Sequence, residues 1–442
     1  MHGIKALANS MIKYPKFMSN NYLYVHPNLN LCVYAVESWQ ALALGFIVLA
    51  LMLILKLPLY IVFISIAMIV ALAINGFEGI VVAIIEASRD PLTIGLVIIT
   101  LLISILVSLY RYTNLIDVLS RELVKLFRKP LLAITMTPAI LGLLPIAGGA
   151  LLSAPIVDSI GDSLGLDGSK KLFVNVWYRH VIFLFYPLST MLILASALGD
   201  VDLWILVVRQ IPVALVMMGI GLIPMLISKN RLSKVEELNE GIHKRELFNT
   251  FTPLIISIAL ALILNPLDKL GLPLYRISMV IGISIGMVTF IVLNNVSKLV
   301  FIQVIKDRRV WELPLATYGA MLLRRAFLML DLKSLSSILA SSSIPIDIIL
   351  IAIPSIIALA TGVVSTGLVL SIPLLANLTP LTPASVSLIY VSSFLSYLGS
   401  PLHLCYVYTA QYLRIPLTKG YRYLAPSILI ALAIAYLIYR LF

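Results

Sequence analysis

Two stretches far apart in the chain bring glycine and proline together with hydroxyl side chains inside apolar sequence. Leu144 to Pro155 reads Leu-Pro-Ile-Ala-Gly-Gly-Ala-Leu-Leu-Ser-Ala-Pro, and Thr366 to Pro373 reads Thr-Gly-Leu-Val-Leu-Ser-Ile-Pro. Laying Gly149 on Gly367 also lays Ser153 on Ser371 and Pro155 on Pro373. Glycine lets a backbone approach a ligand closely, and a helix that starts there offers free amides and a partial positive charge to an anion. On this ground Gly148, Gly149, Ser153, Thr361, Gly362, Ser365, Thr366 and Gly367 are expected to line a binding site. The competing reading of the same small residues is close helix packing, which the duplicated spacing makes less economical.

The apolar run after each stretch is itself interrupted. In the first, Asn175, Arg179 and Tyr186 fall on one helical face ahead of Pro187. In the second, Ser393, Ser396, Ser400 and His403 recur around Pro401, so Asn175, Arg179, Tyr186, Ser396, Ser400 and His403 join the candidate binding set. Proline removes a backbone donor and breaks a helix at both points. An arginine inside a membrane span is costly enough to suggest a functional role, with snorkelling to the near surface as the alternative. Asp158 and His180 are the candidate proton carriers, against a solvated helix end for the aspartate and plain packing for the histidine. Cys32 and Cys405 are the only cysteines and lie far apart, so no disulfide, cysteine metal site or cofactor is expected.

The elements that must hold these groups are membrane helices. Hydrophobic residues make up 61% of the 442 and charged residues 12%, with a mean hydropathy of +1.05, a balance that no water-exposed domain carries. Backbone groups in lipid must be satisfied within the chain, and apolar runs of this length require helices, so the expected fold is all-α and polytopic. The net charge of +12 does not call for nucleic acid, because the basic residues sit in short loops between apolar runs.

The chain divides into a polar tail (1–40), a first half (41–227), a linker (228–250) and a second half (251–442). Runs at 41–55, 58–74, 93–110, 172–198 and 203–227 are matched by runs at 251–266, 273–293, 310–330, 384–412 and 423–441. Interrupted hairpins, 130–165 and 344–378, fall at corresponding places. Five spans and one re-entrant hairpin per half make the halves inverted repeats, since an odd number of spans brings the second half in from the other side. Amphipathic stretches at 113–129 and 331–343 precede the hairpins as interfacial helices. Twenty of the 32 lysines and arginines fall on one side in this threading, which makes that side cytoplasmic. Arg324 and Arg325, inside the outer end of a span, are expected to snorkel.

This arrangement resembles the ion-transporter superfamily of divalent-anion/sodium symporters and gluconate permeases. Leu143 to Pro155, then Asn175-Val176-Trp177-Tyr178-Arg179-His180 and Leu398-Gly399-Ser400-Pro401-Leu402-His403-Leu404, more closely resemble a prokaryotic integral-membrane family of unknown function usually grouped with that superfamily. The resemblance implies a mobile transport domain of hairpins and broken spans, a scaffold of the remaining helices, a homodimer and an elevator mechanism. Val364-Ser365-Thr366 only partly echoes the Ser-Asn-Thr hairpin tips of the sodium-coupled members.

Duplicated, interrupted apolar segments point to a transporter's substrate site. The expected function is secondary transport of a small organic anion across the plasma membrane, coupled to protons or to Na+, with no catalytic residues. The rival is an intramembrane enzyme, a protease or lipid-modifying transferase. His-Glu-x-x-His is absent from the sequence, and no serine stands out with a matched histidine and carboxylate.

Overall fold

The computed structural model describes residues 38–55, 57–115, 122, 126–127, 129–143, 150–226, 244–270, 274–330 and 344–441. Among these, all regular structure is helical. The first half runs α1 (Ser38–Ile54), α2 (Leu59–Arg89), α3 (Pro91–Tyr112), α4 (Pro130–Gly142), α5 (Ala150–Ser163), α6 (Gly168–Val181), α7 (Thr190–Leu198) and α8 (Leu203–Leu226). The second runs α9 (Lys244–Ile263), α10 (Ile277–Leu293), α11 (Lys298–Lys306), α12 (Arg308–Leu328), α13 (Ile346–Thr361), α14 (Val364–Ala376), α15 (Pro383–Leu398), α16 (Leu404–Tyr412) and α17 (Leu417–Leu441).

Local chemistry sets the helix ends. Asp90 caps α3 by accepting from the Leu92 amide, with Pro91 in the first turn. Asp167 caps α6 through the Lys170 amide, and Thr382 and Ser385 close a capping box on α15, whose first residue, Pro383, presets the backbone. Gly362 ends α13 in the left-handed region at φ 67°, where a side chain would be strained.

Among the described residues, five helices, α2, α3, α8, α9 and α17, are long and apolar enough to cross a membrane. The arms α4, α5, α13 and α14 have 13 to 16 residues, about 20–24 Å of helix against a hydrocarbon core of about 30 Å. Each pair packs arm to arm, as α4 on α5 and α13 on α14.

Three expectations need correction. The run ending at residue 74 continues as α2 to Arg89, bending at Asn75 and Gly76; Glu78 and Glu86 made it look finished. Arg324 and Arg325 do not simply snorkel, since Arg325 pairs with Asp90 at 3.1 Å and Glu86 at 3.8 Å, and Arg324 reaches Asp90 at 4.0 Å. The helices also sort differently. One group packs α12 along α2 and α3, with α9, α10 and α11 beside them. The other holds α4 to α8 and α13 to α17, so α8 and α17 pack on each other and on the broken spans instead of joining the first group. The interfacial stretch 331–343 and most of 113–129 lie outside the described residues.

Candidate functional site

The apolar run 172–198 folds as α6, a 3-10 turn at Ile182–Leu184, and α7. Pro187 lies in the irregular link between turn and helix. The run 384–412 folds as α15 and α16 around the link Gly399–His403, which contains Pro401. Both spans are therefore broken where proline predicts. The hairpin arm α5 packs on α16 of the other half, and α14 packs on α7, so each hairpin leans on the far side of the opposite break.

A buried polar chain crosses this junction. Ser153 on α5 donates to Asn175 Oδ1 at 2.6 Å. Asn175 Nδ2 in turn donates to the Ala150 carbonyl at 3.0 Å and to Thr409 Oγ1 at 2.9 Å, and Thr409 donates to the Cys405 carbonyl at 2.7 Å. Ser153, Asn175 and Thr409 are fully buried. Every member is hydrogen-bonded, as a buried amide in this setting demands.

One turn along α6, Arg179 is 1% exposed. Its guanidinium hydrogen-bonds the Cys405 thiol and faces the Tyr397 phenol, while the Ala150 amide at the start of α5 approaches the same sulfur. His180, also buried, shares its Nδ1 with the Val176 carbonyl at 2.6 Å. The His403 ring meets the His180 ring edge-on, 4.7 Å between centroids, and lies 4.2 Å from the Tyr397 ring. Beyond a weak approach to the Leu398 backbone, the ring nitrogens of the fully buried His403 have no hydrogen-bond partner.

The remaining expected residues are distributed as follows. Gly148 and Gly149 lie outside the described residues. Thr361 ends α13, and Gly362 forms the second hairpin's turn, its Cα facing Leu402 of the Gly399–His403 link so that a Cβ would lie 2.7 Å from Leu402 Cβ. Ser365, Thr366 and Gly367 are buried in the first turn of α14. A Cβ on Gly367 would lie 2.7 Å from Ser393 Oγ and 3.0 Å from Ala358 Cβ. The hydroxyls of Thr366 and Ser393 are buried without a partner. Ser396 lies on α15, and Ser400 Oγ accepts from the Leu402 amide at 3.2 Å.

Tyr186 departs from the expected face, and Asp158, the proton-carrier candidate, is ion-paired. α6 ends at Val181, so Tyr186 is not in register with Asn175 and Arg179; it lines a small apolar cavity with Tyr110, Leu143 and Leu254. Asp158 faces Lys171, whose Nζ lies 2.6 Å from both Asp158 and Asp162. Cys405, Tyr397 and Thr409 were missed from the sequence. The available signal was positional: Cys405 stands two residues past His403, and Thr409 one turn further along the same half-helix.

Residues 38–442 match the model of a family described as "Protein of unknown function (DUF401)". The chain belongs to that family. No curated protein matches it. Among solved structures, the crystal structure of the YdaH transporter of Alcanivorax borkumensis shares the fold with a TM-score of 0.56 at 14% identity, over 83% of this chain and 88% of that one. The chain thus shares its fold with that transporter structure.

Proposed function

We infer that this protein is a secondary transporter of a small organic anion, with its substrate site where the two broken spans meet. The observation that carries the reading is Arg179, buried beside residues of both halves at the point where two interrupted spans and a hairpin arm converge. A buried guanidinium presents a planar fork of donors suited to a carboxylate. The transporter fold of the Alcanivorax borkumensis YdaH structure supports transport over an intramembrane enzyme.

The finer picture is two inverted halves with re-entrant hairpins. It is supported by the matched order of α4 to α8 and α13 to α17, and by reciprocal packing, α5 on α16 as α14 on α7, and α6 on α17 as α15 on α8. Arms too short to span fit hairpins that dip in and return. The two packing groups fit an elevator in which α4 to α8 and α13 to α17 move against α2, α3 and α12, in a homodimer of the plasma membrane. Coupling to Na+ would use the unpartnered oxygens of Thr366 and Ser393 at the second hairpin; coupling to protons is the other branch.

Uptake into proteoliposomes of the purified chain, screened over carboxylates with an imposed Na+ or pH gradient, tests the reading. Gradient-driven uptake that falls from wild type to Arg179→Lys to Arg179→Gln is expected. Uptake unchanged in Arg179→Gln would sink the assignment of Arg179. Accessibility of single cysteines at residues 148 and 362 from opposite faces is the matching test of topology.

A further inference from the structure

His180, His403 and Cys405 are all buried, and their ligating atoms lie within 4.8 Å of one another. They come from three separate places: the end of α6, the link after α15, and the first turn of α16. We propose that these three residues form a binding site for a monovalent soft metal ion, Cu+ or its analogue Ag+, bridging the two halves at their breaks. The proposal does not rest on the anion-transport reading.

Four features carry it. His180 fixes Nδ1 against the Val176 carbonyl, which leaves Nε2 as the ligating atom in the way that ligand histidines are usually oriented. His403 is fully buried with ring nitrogens that lack hydrogen-bond partners, an arrangement that costs free energy unless something binds there. The donors, one thiol and two imidazoles, are those that soft ions prefer. The Cys405 sulfur is approached by the Arg179 guanidinium and the Ala150 amide, donors that stabilise the negative charge of a metal-bound thiolate. Donors in a three-coordinate site with bonds of about 2.0–2.3 Å stand about 3.5–4 Å apart. Closure from the present spread needs about an ångström of side-chain rotation at residues on or beside an irregular link.

Charge decides between ions. Binding replaces the thiol proton by the metal: Cys405 S–H plus M+ gives Cys405 S–M plus H+, with no electron transferred. A monovalent ion therefore leaves the local charge as it was. A divalent ion would add one positive charge beside buried Arg179, in surroundings where an added charge is costly. The site should thus take Ag+ or Cu+ and reject Zn2+, although Zn2+ accepts the same donor types.

The test uses the full chain with Cys32→Ser, so that Cys405 is the only thiol. Titration with Ag+ is expected to load one ion per chain, release about one proton per ion, and raise the melting temperature. Zn2+ is expected to bind at least a hundredfold more weakly. Cys405→Ser and His403→Gln should each weaken Ag+ binding at least tenfold while eluting as folded protein. Should either variant fail to fold, X-ray absorption on the Cu+-loaded Cys32→Ser chain is expected to give one sulfur and two nitrogen donors. Ag+ binding that survives loss of Cys405, a copper shell without sulfur, or Zn2+ bound as tightly as Ag+ would overturn the proposal.

Discussion

At Phe185–Ser189 the first broken span turns among aromatic and aliphatic neighbours, and the groups it brings to the junction, Asn175, Arg179 and His180, lie ahead of the break on α6. At Gly399–His403 the second span brings His403, Cys405 and Thr409 to the same junction from within and after its break, with Tyr397 reaching it from the end of α15. The two sets face each other across the junction. Segments that occupy matching places in the chain thus divide the work, one supplying an amide, an imidazole and a cation from the helix ahead of its break, the other an imidazole from its irregular link and thiol and hydroxyl groups from the half-helix that follows. Regular helix holds a side chain with its neighbours' packing, whereas a link can change its backbone angles at little cost. The second break is therefore the adaptable side of the site.

The largest effect should come from disturbing what rests on that adaptable link. Gly362→Ala meets two penalties, a left-handed φ of 67° and a Cβ 2.7 Å from Leu402 Cβ. Strain of about 1–2 kcal/mol plus overpacking of about 1–3 kcal/mol gives an expected loss of about 2–5 kcal/mol in reversible unfolding in detergent. A loss below about 1 kcal/mol would mean that the link moves aside freely, and that the contact does not hold the hairpin turn in place.

Next is the polar chain that ties the halves together. Asn175→Ala removes the amide serving Ser153, Ala150 and Thr409, and a loss of about 1–3 kcal/mol is expected. Thr409→Val removes the cross-half acceptor along with its own bond to the Cys405 carbonyl, and the double-mutant cycle, which cancels the latter, should give a coupling of about 0.5–1.7 kcal/mol, the range for hydrogen bonds between membrane helices. Zero coupling would break the comparison, because the two breaks would then be neighbours without being joined.

Much of this was legible in the sequence. Composition required membrane helices, Pro187 and Pro401 located both breaks, and the duplicated Gly, Ser and Pro spacing falls in the short paired helices α4–α5 and α13–α14. The periodicity argument failed at Tyr186, since projection onto one helical face assumes that the helix continues and Pro187 ends it early. Asp158 was read from its distance in sequence from Ser153 alone; the ion pair with Lys171, brought up by the fold, was not visible there. Cys405 was invisible for the opposite reason. A lone cysteine carries no pattern, and its partners on α6 come from the other half of the chain.

A smaller effect separates the hairpin's two glycines. Gly367 has ordinary helical geometry, and a methyl there would crowd the Ser393 hydroxyl, which can rotate, and Ala358 Cβ, which cannot. Gly367→Ala should therefore cost about 1 kcal/mol, well below Gly362→Ala. If its stability is near normal while uptake or Na+ affinity is lost, Gly367 marks the ligand site. If affinity per folded molecule is unchanged, its smallness serves packing alone.

The smallest effect lies away from the breaks, where Asp307 joins the halves at the helix ends. It caps α12, pairs with Arg111 of α3 at 3.2 Å, and accepts from Tyr112. Burial pushes its carboxyl up, but the Arg309 amide and guanidinium together with the Tyr112 hydroxyl outweigh this and hold it below the usual carboxylate range. A carboxylate with a depressed folded value contributes stability that is fully present above the unfolded value of about 3.9 and is lost as pH falls through the folded value. Asp307→Asn should thus be less stable than wild type by up to about 1 kcal/mol, by a constant margin from pH 7 down to about pH 5, with the gap narrowing only below about pH 4. Melting temperatures of both proteins across that range check it. A gap already closing between pH 7 and pH 5 would mean that another titrating group, not Asp307, governs how the ends of the two halves are held.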